Sequence, residues 1–272
     1  MKTGRMGMLA LAFTLPMAAG AQPPRLDAGI LGIAHIAFRV SDLDREIAFF
    51  GKLGYEKSFA VTNNGRIAEV FLKINDRQFI ELYPQTNPPQ PLGWAHVCYE
   101  VGDLKTLYAF YDSVGLKLQP VRTSGTGNLI SAIDDPEGRV TEFAQYMPSS
   151  KFMQDEGQHI GGDRIATELM GFDLPVKDGA AQKEFYSDLG FEALEENGNV
   201  RLTAPAAPGV HIELRTWHQG AQPQVLFPVP DARRAESELR DAGVRAVRDD
   251  KIVFVHDPDD NIFVFLQVPG SR

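Results

Sequence analysis

AHIAFRVSDLD, residues 34–44, returns in altered form as AHVCYEVGDLK, residues 95–105. The two share an Ala-His pair, a Val five residues after the His, and an Asp-Leu that begins two residues beyond the Val. Two more segments fall in register on the Val-x-Asp: MGFDLPVKDGA (170–180) and QVLFPVPDARR (224–234). A stretch of helical character follows each of the four, namely DREIAFFGKLGY, LKTLYAFYDSVGL, AAQKEFYSDLGF and ARRAESELRDAGV. Asp42, Asp103, Asp178 and Asp231 stand where a helix N-cap belongs, because a short carboxylate can accept the unpaired N–H groups of the first turn. Gly54, Gly115, Gly190 and Gly243 stand where a helix ends in the left-handed conformation that glycine adopts without steric cost.

Short β-like runs separated by turn residues follow the helices. In the first unit they are EKSFAVT, RIAEVFLKI and RQFIELYP, broken at Asn63-Asn64-Gly65 and Asn75-Asp76. In the second they are LKLQPVR, NLISAID and RVTEFAQY, with Asp135-Pro136-Glu137-Gly138 as a turn. Asp257-Pro258-Asp259-Asp260 holds the same place in the fourth, before NIFVFLQ. Pro, Gly, Asn and Asp at these points are turn chemistry. Each unit therefore reads as strand, helix and three strands. Segments 85–92 and 147–165 read as linkers, and the second, longer and polar, divides the chain into two pairs of units, 30–148 and 165–268.

The start of the chain reads differently. Residues 1–21 carry Lys2 and Arg5, an apolar run from Met6 to Ala18, and small residues ending Ala19-Gly20-Ala21, the pattern of a cleavable secretory signal peptide. The run is too short for a membrane anchor, so a periplasmic or secreted protein is expected. The formal net charge is −9, and −11 without Lys2 and Arg5. With no Lys/Arg cluster, the chain lacks the electrostatic footprint of a nucleic-acid or anionic-membrane binder. Cys98 is the single cysteine, so no internal disulfide supports an exported protein, and its core must hold it.

Four βαβββ units in two pairs resemble the vicinal oxygen chelate superfamily, with its glyoxalase I, extradiol dioxygenase, fosfomycin-resistance and bleomycin-resistance groups. The resemblance covers roughly residues 30–268. It implies an α+β fold in which paired units form two open barrels, with a metal in a lumen held by the first and last strands of each unit. The strand alternation agrees with that arrangement. His35, Ala37 and Arg39 share one face against Ile36, Phe38 and Val40, and His96, Cys98 and Glu100 share one against Val97, Tyr99 and Val101. On the last strands, Glu81 and Glu142 each lie 46 residues after their unit's histidine. One divalent transition metal (Zn, Ni, Co, Mn or Fe(II)) bound by His35, Glu81, His96 and Glu142 is expected. A lone strand His is more often a core residue, but four positions in register favour a site. Two ionised carboxylates in one cleft also call for a cation.

The second pair keeps little of this set. Gly171 and Gln224 stand in the histidine places, and Glu213 keeps a carboxylate where the fourth unit has Val264. His211 and Glu213 share a face, read as polar lumen, and His159, His218 and His256 form no pattern. The resemblance implies that the metal chelates vicinal oxygens of a small-molecule substrate. Glu142 or Glu81 would then move a proton, as in a glyoxalase-like lyase or isomerase. Arg39, Phe79 and Tyr83, on the lumen side, would meet the substrate. The alternatives are an extradiol-type dioxygenase, which needs two His and one carboxylate with open positions, and a non-catalytic binding protein of the bleomycin-resistance kind. A homodimer, including one that pairs units from two chains, would preserve the same ligand set.

Overall fold

The structure is a computed structural model that describes residues 29–196, 198–268 and 270. Residues 1–21, read as a signal peptide, lie outside the described residues. The first unit is β1 (Ile30–Val40), α1 (Leu43–Lys52), β2 (Glu56–Asn63), β3 (Arg66–Lys73) and β4 (Phe79–Pro84). The second is β5 (Gly93–Val101), α2 (Leu104–Ser113), β6 (Arg122–Thr123), β7 (Leu129–Asp134) and β8 (Val140–Gln145). A single helical turn, α3 (Lys151–Gln154), precedes the third unit: β9 (Gly171–Val176), α4 (Gly179–Asp188), β10 (Glu192–Glu196), β11 (Asn199–Ala204) and β12 (Ala207–Thr216). The fourth is β13 (Gln224–Val229), α5 (Ala232–Asp241), β14 (Ala246–Asp249), β15 (Ile252–His256) and β16 (Ile262–Gln267).

Local chemistry sets the element boundaries. Asp42, Asp103, Asp178 and Asp231 each accept first-turn backbone N–H groups. Gly54, Gly115, Gly190 and Gly243 all have φ between 73° and 96°. The β2–β3 hairpin turns through Asn64 (φ 50°) and Gly65 (φ 74°), the two positive-φ residues that match a tight turn to the twist of its strands. One expected strand is largely missing: of LKLQPVR, only Arg122 at its end enters a strand. Pro120 has no N–H to give a ladder, and the segment is held instead through Gln119, which donates to Ala132 O and accepts from Ser131 Oγ.

The strands form two eight-stranded sheets with equivalent orders, β2-β3-β4-β1-β5-β8-β7-β6 and β10-β11-β12-β9-β13-β16-β15-β14. In each, the first strands of two units run antiparallel at the centre (β1 with β5, β9 with β13). Each is flanked in parallel by the last strand of its own unit. This topology brings four strands from two repeats together in mid-sheet. The outward faces are apolar: Ile36, Phe38 and Val40 of β1, and Val97, Tyr99 and Val101 of β5, belong to one continuous buried cluster that also includes residues of β9, β12, β13 and β16. Contacts such as Phe50 with Phe263, Tyr55 with Phe227 and Trp94 with Phe172 cross between the halves. Burial at about 25 cal/mol per Å² of apolar surface is the main stabilising contribution here, since no disulfide is available. The opposite face of each sheet is left to line a lumen.

Candidate metal centre

Two rows of lumen positions cross the four central strands of the N-terminal sheet. One runs Phe79, His35, Cys98, Glu142, and the other Glu81, Ala37, His96, Val140. Each histidine therefore has one small neighbour, Cys98 or Ala37, across the β1–β5 pairing, and the imidazoles can lean over those positions toward each other. His35 Nε2 lies 3.0 Å from His96 Nε2. Glu81 Oε2 lies 3.1 Å from the first nitrogen and 3.2 Å from the second. Ligand atoms about 2.0–2.1 Å from one metal stand about 3.0–3.4 Å apart, so the trio has the spacing of a first coordination shell. All three residues are buried, and Glu81 Oε2 has no hydrogen-bond partner at acceptable geometry. Lone-pair atoms packed this closely need a positive charge among them, either a proton or a metal ion.

The electrostatics follow from that crowding. Burial alone would raise the Glu81 carboxyl, but His35 and His96 hold it well below the usual carboxylate range. Burial would lower His96, yet its contacts with Glu81, and the charges of Glu142 and Glu69, raise it. Glu142 stands further off, its Oε1 3.8 Å from His35 Nε2. It groups at ligand spacing with His35 and Cys98 rather than with the whole trio. The Cys98 thiol is pushed up by burial and by Glu142.

Above the trio opens a cavity of about 70 Å³, walled by Glu69, Tyr83, Arg122, Asn128 and Glu142 together with His35 and Glu81. Of the three residues expected to meet a substrate, Tyr83 lines this cavity. Phe79 is fully buried in an aromatic cluster with Phe71 and Phe152. Arg39 donates to Pro84 O at 3.2 Å and lies over the Tyr83 ring.

Sequence reasoning missed several residues of this lumen, and two of them stand close to the trio. Glu69 shares its β3 face with Phe71, opposite the core residues Val70 and Leu72. Its carboxyl is pushed up to about 7 by burial and by the charges of Glu81 and Glu142. The alternation of RIAEVFLK carried the signal. The other is Phe152, in the stretch read as a polar linker. Its ring stacks on His35 at 6.4 Å and packs against Phe59, Phe71, Phe79 and Tyr146. The turn that carries it is pinned by buried Lys73, whose ammonium bonds the Asp155 backbone carbonyl and pairs with Asp155 and Asp76.

The second lumen has equivalent rows with different contents: His211, Gly171, Leu226, Val264 and Glu213, Asp173, Gln224, Ile262. Asp173, His211 and Glu213 place ligand atoms within 4.8 Å of one another, all half-buried. Burial pushes Asp173 up to about 6, with Arg215 opposing. Burial and the Arg201 charge lower His211. His159 and His256 each pair with an acidic neighbour, Asp155 and Asp260, outside both lumens. Among the described residues no helix is long and apolar enough to cross a membrane.

Residues 32–143 match the family model of the Glyoxalase/Bleomycin resistance protein/Dioxygenase superfamily. Among curated proteins none matches the chain in sequence. Solved structures with the same fold include the 2,3-dioxygenase LapB from Pseudomonas sp. KL28, 17% identical, with a TM-score of 0.68 over 90% of this chain and 95% of that one. A catechol 2,3-dioxygenase is 14% identical, with a TM-score of 0.66 over 90% of each chain. The Mn(II)-bound glyoxalase from Novosphingobium aromaticivorans is 15% identical, with a TM-score of 0.65 over 88% of this chain and 83% of that one. At these identities the likeness is one of fold. The family match covers the first pair of units, and the second pair repeats the same strand order.

Proposed function

We propose that the chain is a metal-dependent enzyme that binds one divalent transition metal through His35, His96 and Glu81, with Glu142 beside them, and transfers a proton on a small substrate bearing two adjacent oxygens. The reaction class is glyoxalase-like, a lyase or isomerase step. One observation carries the reading: His35 and Glu81 of the close trio line a cavity walled by two further carboxylates, Glu69 and Glu142. When bound, the ion supplies Lewis-acid polarisation of the paired oxygens. The chain supplies the rest. Glu142 or Glu69 takes a proton from the carbon beside the polarised oxygen and returns it to the neighbouring atom, and the Glu69 carboxyl, lifted toward neutrality, suits that work. Phe71 and Phe152 keep water from the floor of the site, and Arg122 offers the cavity a cation for a substrate anion.

Solvent deuterium incorporation into hemithioacetals and α-hydroxyketones tests the reaction class. Exchange in the metal-loaded protein, lost in Glu142→Gln or Glu69→Gln while metal is retained, is expected. No exchange with any of these substrates contradicts it.

A specific observation favours a second reading. The trio is two histidines and one carboxylate, and Glu142 stands apart from it. Such a facial set with open positions suits Fe(II) oxygenase chemistry, and LapB is a dioxygenase of the same fold. Oxygen uptake by the Fe(II)-loaded protein on catechols would replace the first reading with this one. For residues 1–21 we propose export, which predicts a mature N-terminus at Gln22 on sequencing protein recovered from the periplasm or medium.

A further inference from the structure

The second lumen lacks both histidines of the N-terminal arrangement, and the structure shows why one cannot be there. A Cβ built on Gly171, the counterpart of His35, would stand 1.6 Å from the backbone oxygen of His211. No side chain fits at that position, so the first strand of the third unit cannot offer an imidazole. The neighbouring strand offers one instead: His211 occupies the counterpart of Phe79, one strand over in the same row. In the second row, Glu213 matches Glu81, and Asp173 takes the place held by Ala37. The ionisable donors have moved from the middle of the sheet onto the β12–β9 pair, and the β13–β16 side offers Leu226, Val264 and Ile262 beside the amide of Gln224.

From this we propose a second divalent-metal site in the C-terminal lumen, held by His211, Glu213 and Asp173. It is displaced by one strand from the N-terminal centre and independent of it. Surrounding groups hold the ligands as outer partners do in metal sites. Asn199 Nδ2 donates to Glu213 Oε1 at 2.7 Å, which leaves Oε2 facing His211 Nε2 at 3.8 Å. Arg215 Nε lies 3.3 Å from Asp173 Oδ2 as an ion pair. One imidazole and two carboxylates suit Zn²⁺ or Mn²⁺. The ligand atoms are more widely spread than in the N-terminal trio, half-exposed, and beside a guanidinium. Binding at least tenfold weaker than at the N-terminal centre follows.

The test is a Zn²⁺ and Mn²⁺ titration of the full chain, followed by calorimetry and elemental analysis. Three proteins are compared: wild type, His96→Ala/Glu81→Gln, and His211→Ala/Glu213→Gln, with circular dichroism to verify folding. Two equivalents in the wild type, the weaker one lost only in His211→Ala/Glu213→Gln, are expected. If that variant does not fold, Asp173→Asn takes its place and should weaken the second equivalent at least tenfold. A single equivalent in the wild type overturns the proposal. So does a second equivalent that survives in the C-terminal variant, as it would if it sat at His159 or His256. Loss of only the weaker site leaves the N-terminal reading intact, and loss of only the tighter site leaves this proposal intact.

Discussion

The two sheets share strand order and register across their central four strands, and their lumens have diverged all the same. In the N-terminal sheet, equivalent donors come from both repeats, and His35 and His96 meet at 3.0 Å over Ala37 and Cys98. In the C-terminal sheet the ionisable donors crowd onto one repeat, and the other presents aliphatic side chains and the amide of Gln224. Identical topology therefore fixes where a ligand can stand but not whether one does. What decides is the residue at each crossing of a row with a strand, and in particular whether the position beside a ligand is small.

A second pair of equivalent places sharpens the contrast. On α4, buried Gln182 donates to Asp135 Oδ2 at 2.9 Å, across the boundary between the halves. On α1, the residue in the same place is Glu46, fully buried, with neither carboxylate oxygen hydrogen-bonded. The nearby charges are Asp257, counterpart of Asp135, and Asp259, with Arg45 opposing them. Amide meets carboxylate in one half, and carboxyl meets carboxylate in the other. Burial and those two aspartates push Glu46 up to about 8.

The expected effects run from large to small. Phe152→Ala removes part of the aromatic floor of the N-terminal lumen, and should cost about 3–5 kcal/mol in urea unfolding. It should also weaken metal binding, because His35 loses its stacked neighbour. Gly171→Ala should cost about 3 kcal/mol or more, since a Cβ there meets backbone that cannot move aside. A near-neutral result would show that the C-terminal centre could have kept a first-strand histidine.

Glu46→Gln tests the boundary pair. The Glu46 pKa is raised in the folded state, so the folded chain holds a proton that the unfolded chain has released between about pH 4.5 and about 8. Stability from this group is therefore complete below the unfolded value and falls as pH rises through that window. The amide removes the slope, and a gain of about 2 kcal/mol at pH 9, with little change at pH 4, is expected. Equal effects at both pH values would contradict the assignment. Asp103→Ala, which removes from α2 the aspartate cap that the helix of each unit carries, should cost only about 1 kcal/mol.

Much of this was legible in the chain. The Val-x-Asp repeat, the capping aspartates and the helix-ending glycines located four units, and period-two alternation put His35 and His96 opposite the core residues of their strands. Glu69 was equally legible in RIAEVFLK, but attention to first and last strands passed over a third-strand residue. Phe152 was not, because an isolated aromatic in a polar stretch gives no periodic signal and its role depends on where the chain returns. Nor could the lumen spacing be read. That His211 and Asp173 approach one another, while Arg39 turns to Pro84 and Phe79 joins the floor, follows from register and packing between strands far apart in sequence.

The central claim is one tight metal centre built from two copies of a repeat, and metal content measured after dialysis of the wild type, His35→Ala, His96→Ala and His211→Ala tests it most directly. One tightly held equivalent of a transition metal is predicted in the wild type and in His211→Ala. It should be absent from both of the other variants, with the loss equal whichever copy of the histidine is removed. Tightly bound metal that survives in either His35→Ala or His96→Ala, or none in the wild type after reconstitution, would contradict the account.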